Sequence, residues 1–447
     1  MKAIERRIKR DIYASQHAAL LRPAPGWTQV AMREVEAVAQ NWSLPGSSAL
    51  QISVDENGEL TLEGLDFRHL IELPLRLFTV SDVLWLLQSR HVGSFGELID
   101  FWHKIPWELY LPPHAVLNLR VESYRSRLFH EGKITELLTQ ELQSKGFRVA
   151  GEEATFKLLS LQRENRHHLY FSLVGPEPLF HRRYKAARAH RAPLQEHLAA
   201  SAIRWFESLQ EATWRPDLLA IPFAGSGTFL GEYLLFHEHM MPFSFREDYA
   251  ITQSPSLPRA SWEQIKKRRY AARLPAQGYQ VQLIERDPEQ IKALHIFWQG
   301  LSDQVGRLNT HTDSEREPTE LLQQDSRPKH LPPCMIIEGD AFQFSLPHSV
   351  RSILMPLNPP YGQRLSQGGD LDSHRYYQRL GRWLKALPQA QQELRGFVLV
   401  PDVASLEALS QTLGRASVQG VQSFTQGGQH IRCLAFSLGT VHKGDSC

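Results

Sequence analysis

At 447 residues the chain exceeds what one hydrophobic core usually organises, so two or three domains are expected. Apolar residues make up 42% of it, no apolar run approaches the ~18 residues of a membrane-spanning helix, and the opening MKAIERRIKR is charged with no apolar segment behind it, which argues against a membrane class and points to the cytoplasm. Cys334, Cys433 and Cys447 form no CxxC pair, so neither a disulfide framework nor a metal site is expected, and a net charge of +2 does not by itself imply a nucleic-acid partner.

The N-terminal third reads as mixed α and β. HAALLRPAPG and WTQVAMREVEAVAQNW suggest a strand, a Pro-Gly turn and an amphipathic helix. AVLNLRV alternates as a strand should. A helix is predicted over 132–146, where Ile134, Leu137, Leu138 and Leu142 share one face. TFKLLSL and HLYFSLV are two further strand candidates. From about Pro193 apolar runs alternate with helical segments, the pattern of a parallel α/β sheet. Its candidate strands are LLAIPF, YQVQLIE, CMIIEGD, SILMPLN and GFVLV, with a last pair near VQSF and IRCLAFSLG. Ser302 to Pro332, rich in polar residues and proline, reads as a long surface loop.

Three strand ends carry chemistry that fits an adenosine. Ala224-Gly225-Ser226-Gly227-Thr228 follows the first strand of the sheet and opens a helix, where glycines let a ligand approach the backbone. No Gly-Lys-Ser/Thr follows, so this is not a phosphate-gripping loop, and the positions two before and two after Ser226 are Ala224 and Thr228, not the glycines of a serine nucleophile elbow. A dinucleotide fingerprint is imperfect, because Leu230 stands where the third glycine belongs; a purely structural turn is the plain alternative. The next strand ends in Glu285, a carboxylate suited to a ribose diol, whereas Asp287 before Pro288 fits a helix start better. A third strand ends in Glu338-Gly339-Asp340-Ala341-Phe342, where Asp340 could accept an adenine amino group.

Asn358-Pro359-Pro360-Tyr361-Gly362 directly after SILMPL is the most informative stretch. An exocyclic base amine is a poor nucleophile because its lone pair is delocalised into the ring. If the Asn358 side-chain oxygen and the Pro359 carbonyl accept both amine hydrogens, the nitrogen turns tetrahedral and its lone pair can point at a methyl donor. The prolines stiffen the loop and Tyr361 can stack on an extruded base. A rigid Pro-Pro turn is the bland alternative.

With the glycine turn, NPPYGQRL and the segment APLQEHLAASAI before the first catalytic strand, the chain resembles the THUMP-domain RNA methyltransferases of the large-subunit rRNA and tRNA guanine-N2 type over nearly its whole length. PFSFRED and SWEQIKKR, between the glycine turn and Glu285, resemble that family's insertion. The resemblance implies a ferredoxin-like segment over 1–65, a THUMP-like RNA-binding domain over 66–180 and a Rossmann-like class I methyltransferase domain over 181–447. It implies S-adenosyl-L-methionine as cofactor, held by Pro222, Gly225, Gly227, Glu285, Asp340 and Ala341, with Asn358, Pro359 and Tyr361 catalytic. The family usually has an acidic residue where this chain has Ile221, and an asparagine where it has Phe297; Glu232 is one alternative source of the missing charge.

RNA is the expected partner. Arg182, Arg183, Lys185, Arg188 and Arg191 form the candidate RNA-binding run, with Arg163, Arg166, His167 and His168 nearby in sequence. The reading is thus a methyltransferase acting on a base amine, most plausibly guanine N2 of 23S rRNA or tRNA. Its rivals are an RNA-binding or ribosome-assembly relative with weakened catalysis and, less well matched, a nicotinamide-dependent oxidoreductase.

Overall fold

The computed structural model describes residues 2–40, 42, 50–151, 153–181, 194–237, 248–267, 278–313, 331–360 and 373–439. The chain forms two compact units, one of Met1–Pro23, Ala31–Arg182 and Pro242–Arg269, the other of Ala24–Val30, Arg183–Met241 and Tyr270–Cys447.

The first unit is built on one sheet. Its strands are β1 (His17–Pro23), β2 (Gln51–Val54), β3 (Leu60–Leu65), β4 (Val80–His91), β5 (Val116–Tyr124), β6 (Arg148–Val149), β7 (Phe156–Arg163) and β8 (Arg166–Ser172), in the order β2-β3-β1-β4-β8-β7-β5-β6. Strands from both sides of residue 65 are hydrogen-bonded in it, since β1 pairs with β3 and with β4. Helix starts follow local chemistry: Asp66 caps Phe67–Arg76 by accepting from His69 N at 2.8 Å, and Ser94 caps Phe95–His103 by accepting from Glu97 N at 3.2 Å. Ile134, Leu138 and Leu142 are buried on the helix Glu131–Ser144, as their spacing predicts.

The segment with SWEQIKKR, which the sequence places inside the C-terminal half, folds with this first unit. Ala250 N and Ile251 N donate to the carbonyls of Val174 and Leu173, Ser254 Oγ to Tyr110 O at 2.7 Å, and Arg68 to Gln264 Oε1 at 3.0 Å. Buried serines need such partners, and Ser254 and Ser256 are 4% and 0% exposed.

Two members of the sequence's basic cluster are engaged by other residues of this unit. Arg163 is held by Asp55 at 2.6 Å and Glu59 at 3.1 Å, a pairing that strand order creates and sequence distance hides. His167 is 0% exposed; Trp102 Nε1 donates to its Nε2 at 2.8 Å, which requires a neutral ring. Arg166 remains exposed. Burial pushes the His167 pKa down to about 3, and burial followed by Arg166 and Arg163 lowers that of half-buried His168 to about 4. Unfolded histidine titrates near 6.5, so the unfolded chain takes up these protons first and stability falls as pH drops below about 6.5. The melting temperature should therefore decline between pH 7 and 5, and His167→Gln should flatten that decline. An unchanged slope in a pH series of thermal melts would refute the assignment.

The second unit carries β9 (Leu218–Pro222), β10 (Gln280–Glu285), β11 (Cys334–Glu338), β12 (Ser352–Leu357), β13 (Glu393–Val400), β14 (Val418–Gln426) and β15 (Gln429–Gly439) in the order β11-β10-β9-β12-β13-β15-β14. The first five are parallel, and β15 runs antiparallel between β13 and β14. Near-continuous apolar strands such as β9, β12 and β13 fit a sheet covered on both faces. All seven strands fall on the candidate segments, the five parallel ones as apolar runs. One expectation needs correcting: the helix from Pro288 continues to Asp313, so the first part of the expected loop 302–332 is helical. Adding a residue to an existing helix takes one hydrogen bond per residue fixed, and no proline interrupts before Pro318. Residues 314–330 lie outside the described residues.

Candidate active site

The order of strands reverses between β9 and β12, and in open α/β sheets such a switch point opens a crevice at the carboxyl ends of the strands. The glycine turn fills one side of it. Phe223 has φ 60, Gly225 φ 53 and Gly227 φ 79, so three of five consecutive residues are left-handed. For a bulky residue like Phe223 that conformation costs about 1–3 kcal/mol and is found where a turn has a task beyond connection. The two glycines differ in their reasons. A Cβ on Gly227 would sit 3.0 Å from Phe297 Cδ1 and 3.1 Å from Leu294 Cδ2, whereas a Cβ on Gly225 would meet nothing within 4 Å. Gly227 therefore serves packing against Phe297 and Leu294, and Gly225 leaves open room beside the turn.

Glu285 closes the turn from the next strand. Its Oε2 accepts from Gly225 N at 2.8 Å, and its Oε1 from Arg286 N at 2.9 Å and Asp287 N at 3.1 Å. A carboxylate offers about four acceptor sites, so roughly one is left and a ribose diol must share or displace one of these bonds. Asp287 takes the other role the sequence suggested, capping its helix by accepting from Glu289 N at 2.9 Å. Ile221 is 1% exposed and paired with Leu283 inside the sheet, and Glu232 is 2% exposed on the helix Thr228–His237. Pro222, paired with Ile284, ends β9.

Asp340 is exposed at the end of β11 and caps the turn Ala341–Gln343 by accepting from Phe342 N at 3.1 Å; Ala341 is 4% exposed. Gly339 N donates to Glu285 O at 2.9 Å, which ties the ends of β10 and β11 together. Asn358 follows β12. Its side-chain Oδ1 is buried and has no hydrogen-bond partner among the described residues. Leaving such an acceptor unpaired costs about 1–3 kcal/mol, and this is the atom whose type and position fit a base amine. Pro359 is buried next to it. Gly225, Glu285, Asp340 and Asn358 thus stand at one edge of one sheet, because four parallel strands end there. Tyr361 lies outside the described residues, as do Arg182, Arg183, Lys185, Arg188 and Arg191.

Known proteins resemble the chain in sequence and in fold. The chain is 24% identical over 313 residues to the Ribosomal RNA large subunit methyltransferase K/L of Psychromonas ingrahamii, covering 68% of this chain and 37% of that one. It is 23% identical over 416 residues to the protein of the same name from Saccharophagus degradans, covering 90% and 49%. The chain is thus similar in sequence to proteins named as K/L large-subunit rRNA methyltransferases. It spans half or less of the length of these two relatives. No family model matches it. The crystal structure of SMU.472, named a candidate methyltransferase and complexed with SAH, superposes with a TM-score of 0.68 at 18% identity, covering 96% of this chain and 99% of the other. At that identity the likeness establishes the class I methyltransferase fold.

The edge also holds residues that sequence reasoning missed. The Phe342 ring stands edge-on to Phe223 at 6.1 Å, Tyr376 at 5.8 Å and Trp383 at 5.6 Å, with the Arg379 guanidinium 4.0 Å from its centroid. Tyr376, Arg379 and Trp383 lie on the helix Ser373–Ala386, with Leu380 and Leu384 buried on the same element. The repeat of Tyr376, Arg379, Leu380 and Trp383 at helical spacing was the available signal, but only contact with Phe342 attaches it to the site. No helix among the described residues is long and apolar enough to cross a membrane. Among them there is also no group of three or more His, Cys, Asp and Glu placed to hold a metal ion.

Proposed function

We propose that the chain is an S-adenosyl-L-methionine-dependent RNA methyltransferase that modifies an exocyclic base amine, guanine N2 of 23S rRNA or tRNA. The observation that carries this reading is the buried, unpartnered Oδ1 of Asn358 at the switch point of a class I methyltransferase sheet. The residues present fit the cofactor: Gly225 leaves open space, Glu285 can take a ribose hydroxyl, and Asp340 can accept an amino group. When bound, S-adenosylmethionine supplies an electrophilic methyl. Asn358 Oδ1 accepts one amine hydrogen and the Pro359 carbonyl the other, which localises the nitrogen lone pair without a strong base. Burial of the Asn358 oxygen strengthens that bond, because water does not compete for it.

An RNA substrate is supported by the naming of the K/L relatives, and the cytoplasm is the compartment this reading expects. The N-terminal unit, in the divisions 1–65 and 66–180, would grip structured RNA, and the run Arg182, Arg183, Lys185, Arg188 and Arg191 would contact phosphate. A second reading, an RNA-binding relative with weakened catalysis, is favoured by Ile221, whose burial in the sheet leaves no carboxylate at that position. One pair of measurements separates these readings. Calorimetry with S-adenosylhomocysteine and with NAD tests the cofactor, and nucleoside mass spectrometry of rRNA and tRNA methylated in vitro tests the product. N2-methylguanosine supports the proposal; N6-methyladenosine as sole product, or no methylation with cofactor bound, overturns it.

A further inference from the structure

Asn358 is not the only buried polar group at this edge without a partner. The Tyr376 side chain is 6% exposed, and its hydroxyl has no hydrogen-bond partner among the described residues. Its neighbour Tyr377 donates to Leu399 O at 3.2 Å and is accounted for as a core residue. The Tyr376 ring shares that core but its hydroxyl is not accounted for: a phenylalanine would fill the same space against Phe342 without stripping water from a hydroxyl. The charges that act on this hydroxyl are those of Arg286, Arg379 and Asp340. Arg286 and Asp340 belong to the tips of β10 and β11, where Glu285 and Asp340 bracket the room for an adenosine. Burial raises the phenol's pKa, so at neutral pH the group is a donor.

We infer that the Tyr376 hydroxyl donates a hydrogen bond to a ring nitrogen of the cofactor's adenine, and so helps select that base. This rests on the reading of the site as an S-adenosylmethionine site. Asp340 can only accept, so it suits the amino hydrogens of adenine and cannot satisfy the ring nitrogens N1 and N7 that flank them. A protonated phenol, its ring packed on Phe342 two residues from Asp340, supplies the missing donor. The pair then presents one acceptor and one donor to the adenine edge, a pattern that the keto and N1–H groups of hypoxanthine or guanine do not match. Phe342, held between Tyr376 and Phe223 with Arg379 over its face, fixes the Tyr376 ring for that contact.

Tyr376→Phe removes the hydroxyl and nothing else, so the fold should persist. The full-length variant should bind S-adenosylhomocysteine about fivefold to tenfold more weakly by calorimetry, the weight of one neutral hydrogen bond. Its melting temperature without cofactor should be unchanged or higher, because an unpaired buried group has gone. Wild type should bind either the 1-deaza or the 7-deaza analogue of S-adenosylhomocysteine with a similar loss, and the variant should show no further loss with that analogue. Equal affinity of variant and wild type for S-adenosylhomocysteine overturns the inference, as does a lower melting temperature combined with an undiminished deaza penalty. A wild-type protein that binds no S-adenosylhomocysteine sinks the cofactor site itself and this inference with it. Tight wild-type binding with an indifferent Tyr376→Phe sinks the inference alone.

Discussion

Asn358→Ala is expected to reduce single-turnover methyl transfer by about 10³-fold, the scale seen when one preorganised polar group at a reacting centre is removed. Its partner is the base amine, so affinity for S-adenosylhomocysteine should stay within about twofold. The structure adds a second readout. Oδ1 is buried without a partner, so alanine takes away an unpaired acceptor and leaves the folded state no less stable. Loss of activity at unchanged or raised melting temperature would separate this role from a structural one. A near-normal single-turnover rate would remove Asn358 from the chemistry, and a large fall in melting temperature would mean that its oxygen has a structural partner.

Glu285→Ala should weaken cofactor binding by about 10²-fold, because hydrogen bonds to an ionised carboxylate are worth about 1.5–3 kcal/mol each. Here the carboxylate also holds the backbone of Gly225, Arg286 and Asp287, so alanine should loosen the glycine turn and lower the melting temperature as well. Glu285→Gln separates the two effects. One amide oxygen can keep part of the backbone bonding while the charge is lost, so the glutamine variant should melt closer to wild type yet still bind cofactor poorly. Calorimetry showing wild-type affinity in both variants would mean that the ribose is held elsewhere.

The five parallel strands of the second sheet were legible because buried parallel strands read as short apolar runs, and the chemistry was legible because each of its residues stands at the end of such a run. Gly225, Glu285, Asp340 and Asn358 could be named in that way before any contact was known. Their convergence was implied by a parallel sheet, in which every strand ends at the same edge. The Asp287 cap was legible for the same local reason: its partner lies two residues away.

Distances along the chain carry no such signal. That residues 250–267 fold with the first unit, that Arg163 is spent on Asp55 and Glu59, and that His167 is buried against Trp102 depend on strand order, which local periodicity does not encode. Helix propagation beyond Leu301 was hidden by a composition that reads as loop. The sequence by itself determined which residue types stand at the strand ends, because strand and turn chemistry act over two to four residues. Only the tertiary structure decided which of those groups are left unpaired, as Asn358 Oδ1 and the Tyr376 hydroxyl are, and which are already satisfied, as Glu285 largely is. Hydrogen-bond satisfaction is a property of the whole packed neighbourhood, and residues as distant in sequence as Gly225 and Glu285, or Phe342 and Tyr376, supply it.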